Sequence, residues 1–95
     1  MAKGYIVASI DVRDATEYQK YVAASSAAMA KYGVKPIVRG GRCEVKEGSF
    51  NPRNVILEFE SFEAAQKYYH SPEYQAAIPL RLGVSSANLM LIEGA

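Results

Sequence analysis

One carboxylate interrupts an otherwise apolar segment of this sequence, Glu58 within residues 55–59, VILEF. Because side chains alternate along a strand, Glu58 shares a face with Ile56 and Glu60, and the other apolar residues of the segment lie on the opposite face. If that opposite face packs against helices, Glu58 points toward a space that only a second sheet would close. There it could act as a general base or hold a ligand, opposite Arg39. The alternative is a structural ion pair between two subunits.

Residues 39–42, RGGR, combine two arginines with two glycines. Guanidinium groups bind carboxylates or phosphates through two parallel hydrogen bonds, and glycines let backbone N–H groups approach an anion. Arg39, Gly40 and Gly41 are therefore candidates for anion binding. The alternative is a bulge in a strand with an arginine at the surface. The net charge of +1 argues against nucleic acid as a partner, because phosphate-backbone binding needs a basic surface.

The chain has one histidine, His70, and one cysteine, Cys43. These counts exclude an internal disulfide and a metal site rich in His or Cys, and we predict neither a metal nor a cofactor. His70 could act as a general acid or base, although its position next to Ser71 also fits the end of a helix. Cys43 is interpreted as a small strand residue and not as a nucleophile.

Seven tyrosines are present, and several follow helical spacing, which is typical of core residues: Tyr18, Tyr21, Tyr32 and Tyr69. Two others and an arginine are candidates for a pocket. Tyr5 lies on the second face of the first predicted strand, and Tyr74 and Arg81 follow a Ser-Pro helix break. The predicted ligand-binding set is Tyr5, Arg39, Gly40, Gly41, Tyr74 and Arg81, and the predicted catalytic set is Glu58 and His70.

The first half of the chain predicts a strand and a helix that would position these groups. Residues 4–12 alternate between an apolar face and a mixed face, which indicates a strand. Asp14 is suited to cap a helix, with Glu17 at the capping-box position, and Gly33 is suited to end it. The centre of this helix, residues 23–28, contains only Ala and Ser. Such small side chains favour a close approach of the helix to a sheet.

The second half predicts two strands, a two-part helix and a last strand. Residues 35–46 indicate a strand that Gly40 and Gly41 interrupt, and residues 47–54 indicate a loop before the strand at 55–59. Ser61 is expected to cap a helix that turns Phe62, Ala65 and Tyr69 inward. Ser71-Pro72 is expected to start a second helical segment. Pro79 must kink or end that segment. Residues 87–93 indicate the fourth strand.

The order is β-α-β-β-α-β, which predicts an α+β, ferredoxin-like fold with a four-stranded antiparallel sheet and helices on one face. The 95 residues, 49% hydrophobic and 22% charged, form one domain spanning 1–95. Apolar residues such as Val7 and Ile56 then point away from the helices, and an exposed apolar sheet face calls for a partner. We predict a homodimer, sheet against sheet. The N-terminal apolar run is too short for a signal peptide or a membrane span, which favours a cytoplasmic protein and no membrane partner.

Several segments together resemble one known family: Lys3-Gly4-Tyr5, Tyr18 and Tyr21, Arg39-Gly40-Gly41, residues 58–65, residues 71–75 and Arg81. The sequence resembles the small bacterial family catalogued as domain of unknown function thirteen-thirty, within the dimeric α/β-barrel superfamily. The resemblance covers nearly the whole chain, and residues 71–75, SPEYQ, are its most specific part. Phe50 departs from it, since family members often carry Trp there. The resemblance implies a ferredoxin-like subunit whose sheet pairs with another to form a barrel.

The resemblance implies no single reaction, because the wider superfamily includes cofactor-free monooxygenases, muconolactone isomerase-like enzymes and stress-responsive proteins. Three hypotheses follow. The chain binds a small, partly apolar molecule between its sheet and the partner subunit. Alternatively, it is a cofactor-free enzyme, monooxygenase- or isomerase-like, in which Glu58 or His70 transfers a proton. The third hypothesis is a structural or interaction dimer whose barrel is filled by its own side chains.

Overall fold

The computed structural model describes residues 2–95. Its elements follow in the order β1 (Gly4–Val12), α1 (Ala15–Tyr32), β2 (Lys35–Arg39), β3 (Arg53–Phe59), α2 (Phe62–Tyr69), α3 (Pro72–Ala77), a 3-10 turn (Ile78–Leu80) and β4 (Ser85–Glu93). The four strands form one antiparallel sheet in the order β2-β3-β1-β4. The helices cover one face, so the predicted ferredoxin-like architecture is confirmed. Within residues 2–95, no helix combines the length and the apolar character that crossing a bilayer requires.

The core lies between the helices and one face of the sheet. Ile6 of β1 pairs with Leu57 of β3 on one side and with Leu91 of β4 on the other. These side chains share a face, and Ile6 and Leu57 are buried with Tyr68 and Tyr74. Alternation along each strand therefore produces one buried face, as the sequence predicts. The other face, which we call the open face, carries exposed apolar residues.

The predicted helix ends are confirmed at the level of single hydrogen bonds. Asp14 Oδ1 accepts from the Glu17 N–H at 3.1 Å, and Gly33 ends α1 with a left-handed φ of 63°. Ser61 caps α2 and Ser71 caps α3 in the same way as Asp14 caps α1. Pro79 lies in the 3-10 turn that follows α3, because its ring cannot continue the helix.

The second strand is shorter than predicted. Pairing with β3 stops at Arg39, and residues 40–52 form an irregular connection that is almost wholly exposed. Gly40 has a φ of 68° and donates its backbone N–H to the Asn54 carbonyl at 2.9 Å, so it turns the chain out of the sheet. The prediction that Gly40 and Gly41 interrupt a longer strand is wrong, because they end it. Cys43 lies in the exposed connection and not in a strand.

One packing prediction is incomplete and another is wrong. Ala65 is buried and Tyr69 packs against the core, as predicted, but the most buried aromatic residue of α2 is Tyr68, at 1% exposure. Tyr68 packs between Phe59 and Tyr74, with ring centroids 5.5 and 5.1 Å away.

The backbone of α2 lies close against the sheet, whereas the backbone of α1 lies closest to α3 and the 3-10 turn. The small side chains at the centre of α1 therefore leave a gap above the sheet.

Candidate functional site

The gap between α1 and the sheet is a cleft of about 60 Å³. Its floor consists of apolar side chains from the central strands, including Ile6, Ala8 and Leu57. Its roof comes from α1, where Tyr18, Tyr21, Val22, Ser25 and Met29 recur at three- and four-residue spacing and so share one face. Tyr74 closes one end from α3.

Two phenols meet at the wall of this cleft. The hydroxyl oxygens of Tyr21 and Tyr74 lie 2.9 Å apart and share a hydrogen bond. The guanidinium carbon of Arg81 lies 5.7 Å from the centroid of the Tyr21 ring. The structure thus brings together Tyr74 and Arg81, both of the predicted ligand-binding set. It adds Tyr21, whose helical spacing predicted a core residue.

Burial keeps these phenols protonated. It raises the pKa of Tyr21 well above the ordinary value, and it raises the pKa of Tyr68 and Tyr18 as well. The Arg53 guanidinium acts in the opposite direction on the pKa of Tyr18. A phenol with a raised pKa is a hydrogen-bonding group at neutral pH and not a base. The phenols of the cleft therefore act there as neutral hydrogen-bonding groups.

Two arginines lie at the other end of the cleft, Arg39 and Arg53. Arg39 Nη2 donates to Ser26 Oγ on α1 at 3.2 Å. Arg53 extends along Gly40, so closely that a Cβ on Gly40 would lie 2.6 Å from Arg53 Nη1. Arg53 Nε is buried and has no hydrogen-bond partner within residues 2–95. No carboxylate lines the cleft within the described chain.

Arg53 is a site residue that was not predicted from the sequence. The sequence contained a signal for Arg53. An even number of positions along β3 separates it from the buried residues Leu57 and Phe59, so all three side chains lie on the same face of the strand. A charged side chain in register with a core face is unusual and marks a functional candidate. Arg39 reaches the same face, since it pairs with Val55 of β3.

Glu58 lies on the open face, as the sequence predicts. It pairs with Tyr5 of β1, whose hydroxyl is 3.4 Å from Glu58 Oε2. The prediction that Arg39 lies opposite Glu58 is wrong, because Arg39 points to the helix side, and Lys35 is the neighbour of Glu58 on β2. The predicted ligand set is therefore divided between the two faces of the sheet. Glu58 borders an open depression of about 430 Å³ at the edge of the sheet.

The remaining predicted residues lie outside the cleft. His70 is exposed at the end of α2, where its backbone N–H donates to the Gln66 carbonyl at 3.0 Å and its ring contacts Tyr69 edge-on. Gly41 is exposed in the connection after β2, and a Cβ added there would meet no atom of the described chain within 4 Å. The catalytic roles of Glu58 and His70 stay predictions.

A second depression, of about 420 Å³, lies on the open face. It is bordered by Val7, Met90 and Phe50, and Phe50 is 64% exposed. Asn51 holds this part of the connection on the sheet, since its backbone N–H donates to Ser9 Oγ at 2.9 Å. The position at which the sequence departs from the family resemblance thus borders the open face.

The family model described as Domain of unknown function (DUF1330) matches residues 3–95. The chain belongs to this family. The match spans nearly the whole chain, including both faces of the sheet and the cleft under α1. No curated protein matches the chain.

Solved structures show the same fold at low sequence identity. A protein of unknown function from Rhodopseudomonas palustris is 16% identical with a TM-score of 0.72, over 99% of this chain and 83% of that chain. A dimeric ferredoxin-like protein of unknown function from Bacteroides fragilis is 16% identical with a TM-score of 0.63, and the match covers 96% of this chain and 95% of that chain. SnoaB, a cofactor-independent oxygenase from Streptomyces nogalater, is 14% identical with a TM-score of 0.63, and the match covers 97% of this chain and 92% of that chain. At these identities the comparison establishes the fold alone.

Proposed function

We propose that this chain is a homodimeric binding protein that holds a small, largely apolar molecule in the cleft between α1 and the sheet. The observation that carries the proposal is the lining of the cleft. An apolar floor meets a few polar groups at its two ends, the phenols of Tyr21 and Tyr74 and the guanidinium groups of Arg39 and Arg53. Apolar walls with a few orienting polar groups are typical of small-molecule sites. The proposed ligand therefore lies on the helix side of the sheet, and not between the sheet and the partner subunit.

The size of the cleft defines how a ligand enters. About 60 Å³ is well below the roughly 300–1,000 Å³ of typical small-molecule pockets. A ring-sized ligand therefore requires α1 to move outward. Such a movement separates Tyr18 and Ala28 of α1 from the buried side chains of the sheet, so part of the binding free energy is spent on opening the cleft.

Binding is tested by NMR with benzamide, a neutral aromatic probe. We expect benzamide to shift backbone resonances of cleft residues such as Ala8 and Met29, while those of Val7 and Met90 on the open face stay in place. The variant Ser25→Leu fills the cleft and should abolish these shifts. Ala27→Leu, on the exposed side of α1, is the matched control and should leave them unchanged. Shifts confined to the open face, or none at all, would contradict the proposed site.

The open face supports the homodimer. Met90 is 52% exposed and Ile92 is 44% exposed, and both point away from the helices on β4, an edge strand of the sheet. Similar proteins described as dimeric share this fold. We expect the wild type to sediment as a dimer and Met90→Lys to sediment as a folded monomer, because a charge in an apolar interface is costly. Glu93→Lys, near the end of β4, is the control. A wild type that remains monomeric at high micromolar concentration would contradict the dimer.

A cofactor-free enzyme is the second candidate function. The structural similarity to SnoaB, a cofactor-independent oxygenase, motivates it. The geometry supports it less well, because Glu58 lies on the opposite side of the sheet from the cleft and His70 is exposed. In any assay that detects turnover, Glu58→Gln should remove activity without unfolding the chain if Glu58 transfers a proton. If the variant only weakens the dimer, Glu58 is a structural residue of the interface.

A further inference from the structure

Two positive charges share one end of the cleft. Arg39 and Arg53 both lie on the helix face of the sheet, on paired strands, with Arg39 opposite Val55 and therefore diagonal to Arg53. Diagonal neighbours of this kind have Cα atoms about 7–8 Å apart, within reach of long side chains. Two like charges that line one cleft repel each other, and the repulsion is strongest where water is partly excluded.

No acidic group of the described chain compensates for these charges at the cleft. The ion pairs within residues 2–95 join Lys20 to Glu17, Lys31 to Glu73 and Lys46 to Glu44, and none involves an arginine. Buried Arg53 Nε also lacks a hydrogen-bond acceptor within the same residues. Native proteins leave few buried donors unpaired, so the acceptor of Arg53 Nε is an atom from outside these residues, a water molecule or a group of a ligand.

The local backbone is shaped to keep Arg53 in this position. Gly40 leaves the β2 strand with a φ of 68°, and its missing side chain provides the space that the Arg53 guanidinium occupies. Arg39 is held at the mouth of the cleft by Ser26 of α1. One arginine is thus inside the cleft and the other is at its entrance.

We propose that the ligand of this cleft is an organic carboxylate, whose anionic group binds Arg53 and Arg39 and whose apolar body lies on the sheet toward Tyr21 and Tyr74. The proposal rests on the proposed function, since it assigns a chemical class to the ligand of the same cleft. Guanidinium groups match the planar carboxylate through two parallel hydrogen bonds. A phosphoryl group fits less well, because its tetrahedral head is larger than a planar carboxylate and the cleft measures only about 60 Å³.

The experiment compares three probes of similar shape: benzoate, its neutral counterpart benzamide, and phenyl phosphate. Binding is measured by NMR titration of the cleft resonances in the wild-type protein. We expect benzoate to bind about tenfold or more tightly than benzamide, the ratio that one charge-assisted contact of about 1.4 kcal/mol gives. Raising the salt concentration should weaken benzoate binding and leave benzamide binding unchanged, because only the charged probe is screened.

Two variants test the arginines. Arg53→Met keeps an apolar stem like that of arginine and removes the guanidinium group with its charge, so it should reduce benzoate affinity to the level of benzamide while benzamide binding persists. Arg42→Met, in the exposed connection, makes the same change of net charge and should have no effect. If Arg53→Met fails to fold, Arg39→Met at the exposed mouth replaces it and should weaken benzoate binding alone.

The outcomes separate the two proposals. Equal binding of benzoate and benzamide in the cleft would overturn the carboxylate assignment and leave the proposed function standing. Tighter binding of phenyl phosphate than of benzoate would overturn the assignment as well. If none of the three probes shifts the cleft resonances, both proposals are wrong.

Discussion

Gly4 is the position where the structure allows a substitution to be judged from distances alone. It is buried at the start of β1, beside the start of α2. A Cβ added there would lie 2.2 Å from the carbonyl oxygen of Ser61, 2.5 Å from its carbonyl carbon and 2.7 Å from Phe62 Cα. All three atoms belong to the backbone, so no side chain can rotate to make room. Gly4→Ala must therefore displace the start of α2 from the sheet.

The cost follows from the packing of the core. Overfilling a packed core by one carbon costs about 1–3 kcal/mol when side chains can adjust, and we expect the upper end here because the backbone must move. For a domain of this size each kcal/mol lowers the Tm by about 4–8 °C, so Gly4→Ala should lower the Tm by roughly 10–25 °C. That is a large part of a total stability of about 5–15 kcal/mol.

The assay is urea and thermal unfolding followed by circular dichroism, with Gly41→Ala as the matched control. Gly41 has no atom within 4 Å of its Cβ position and no left-handed φ, so its substitution should change the stability by less than about 0.5 kcal/mol. If both variants unfold at the same urea concentration as the wild type, α2 does not lie as close to β1 as described, and the reasoning is refuted.

Two further predictions concern the contacts of α3. The pKa of Glu73 is lowered to about 2 by Lys31, by the backbone and by the Tyr32 hydroxyl, which donates to Glu73 Oε1 at 2.9 Å. Since the folded pKa lies below the unfolded value of 4.5, the stabilisation is complete above pH 4.5 and is lost as the pH falls toward 2. Glu73→Gln should therefore flatten the dependence of the Tm on pH in this range, and an unchanged slope would contradict the assignment. Tyr74→Phe leaves the Tyr21 hydroxyl without its partner and should cost about 1–3 kcal/mol in urea unfolding. Tyr69→Phe, on a half-buried ring, should cost less than about 0.5 kcal/mol, and equal losses in the two variants would show that the phenol pair contributes nothing.

The sequence by itself determined the elements and their order. The caps at Asp14, Ser61 and Ser71, the helix end at Gly33 and the alternation along β1 are all observed where the sequence places them. These features depend on hydrogen bonds between residues three or four positions apart and on the period of a strand, so they are encoded locally. The open apolar face follows from the same alternation.

The end of β2 and the width of the cleft were decided by the tertiary structure. β2 ends at Arg39 although β3 extends to Arg53, because Gly40 adopts a φ of 68° and turns the chain away. The sequence marks the two glycines, but it is compatible with either an interruption or the end of a strand. Likewise, the Ala and Ser residues of α1 are compatible with close packing or with a gap. The structure contains the gap because the backbone of α1 lies closest to α3 and the 3-10 turn, and the short side chain of Ser25 leaves space between α1 and the sheet.

The site itself shows the same division. Arg39 and Glu58 are compatible with one pocket when only the sequence is considered, because each is a charged residue on a predicted strand. Their separation onto opposite faces depends on the irregular pairing between Pro36 and Val38, which shifts the register of β2 against β3. The cluster of Arg39 with Arg53 arises from the same register. Local sequence sets which side chains share a strand face, and only the pairing of strands decides which charges from different strands meet.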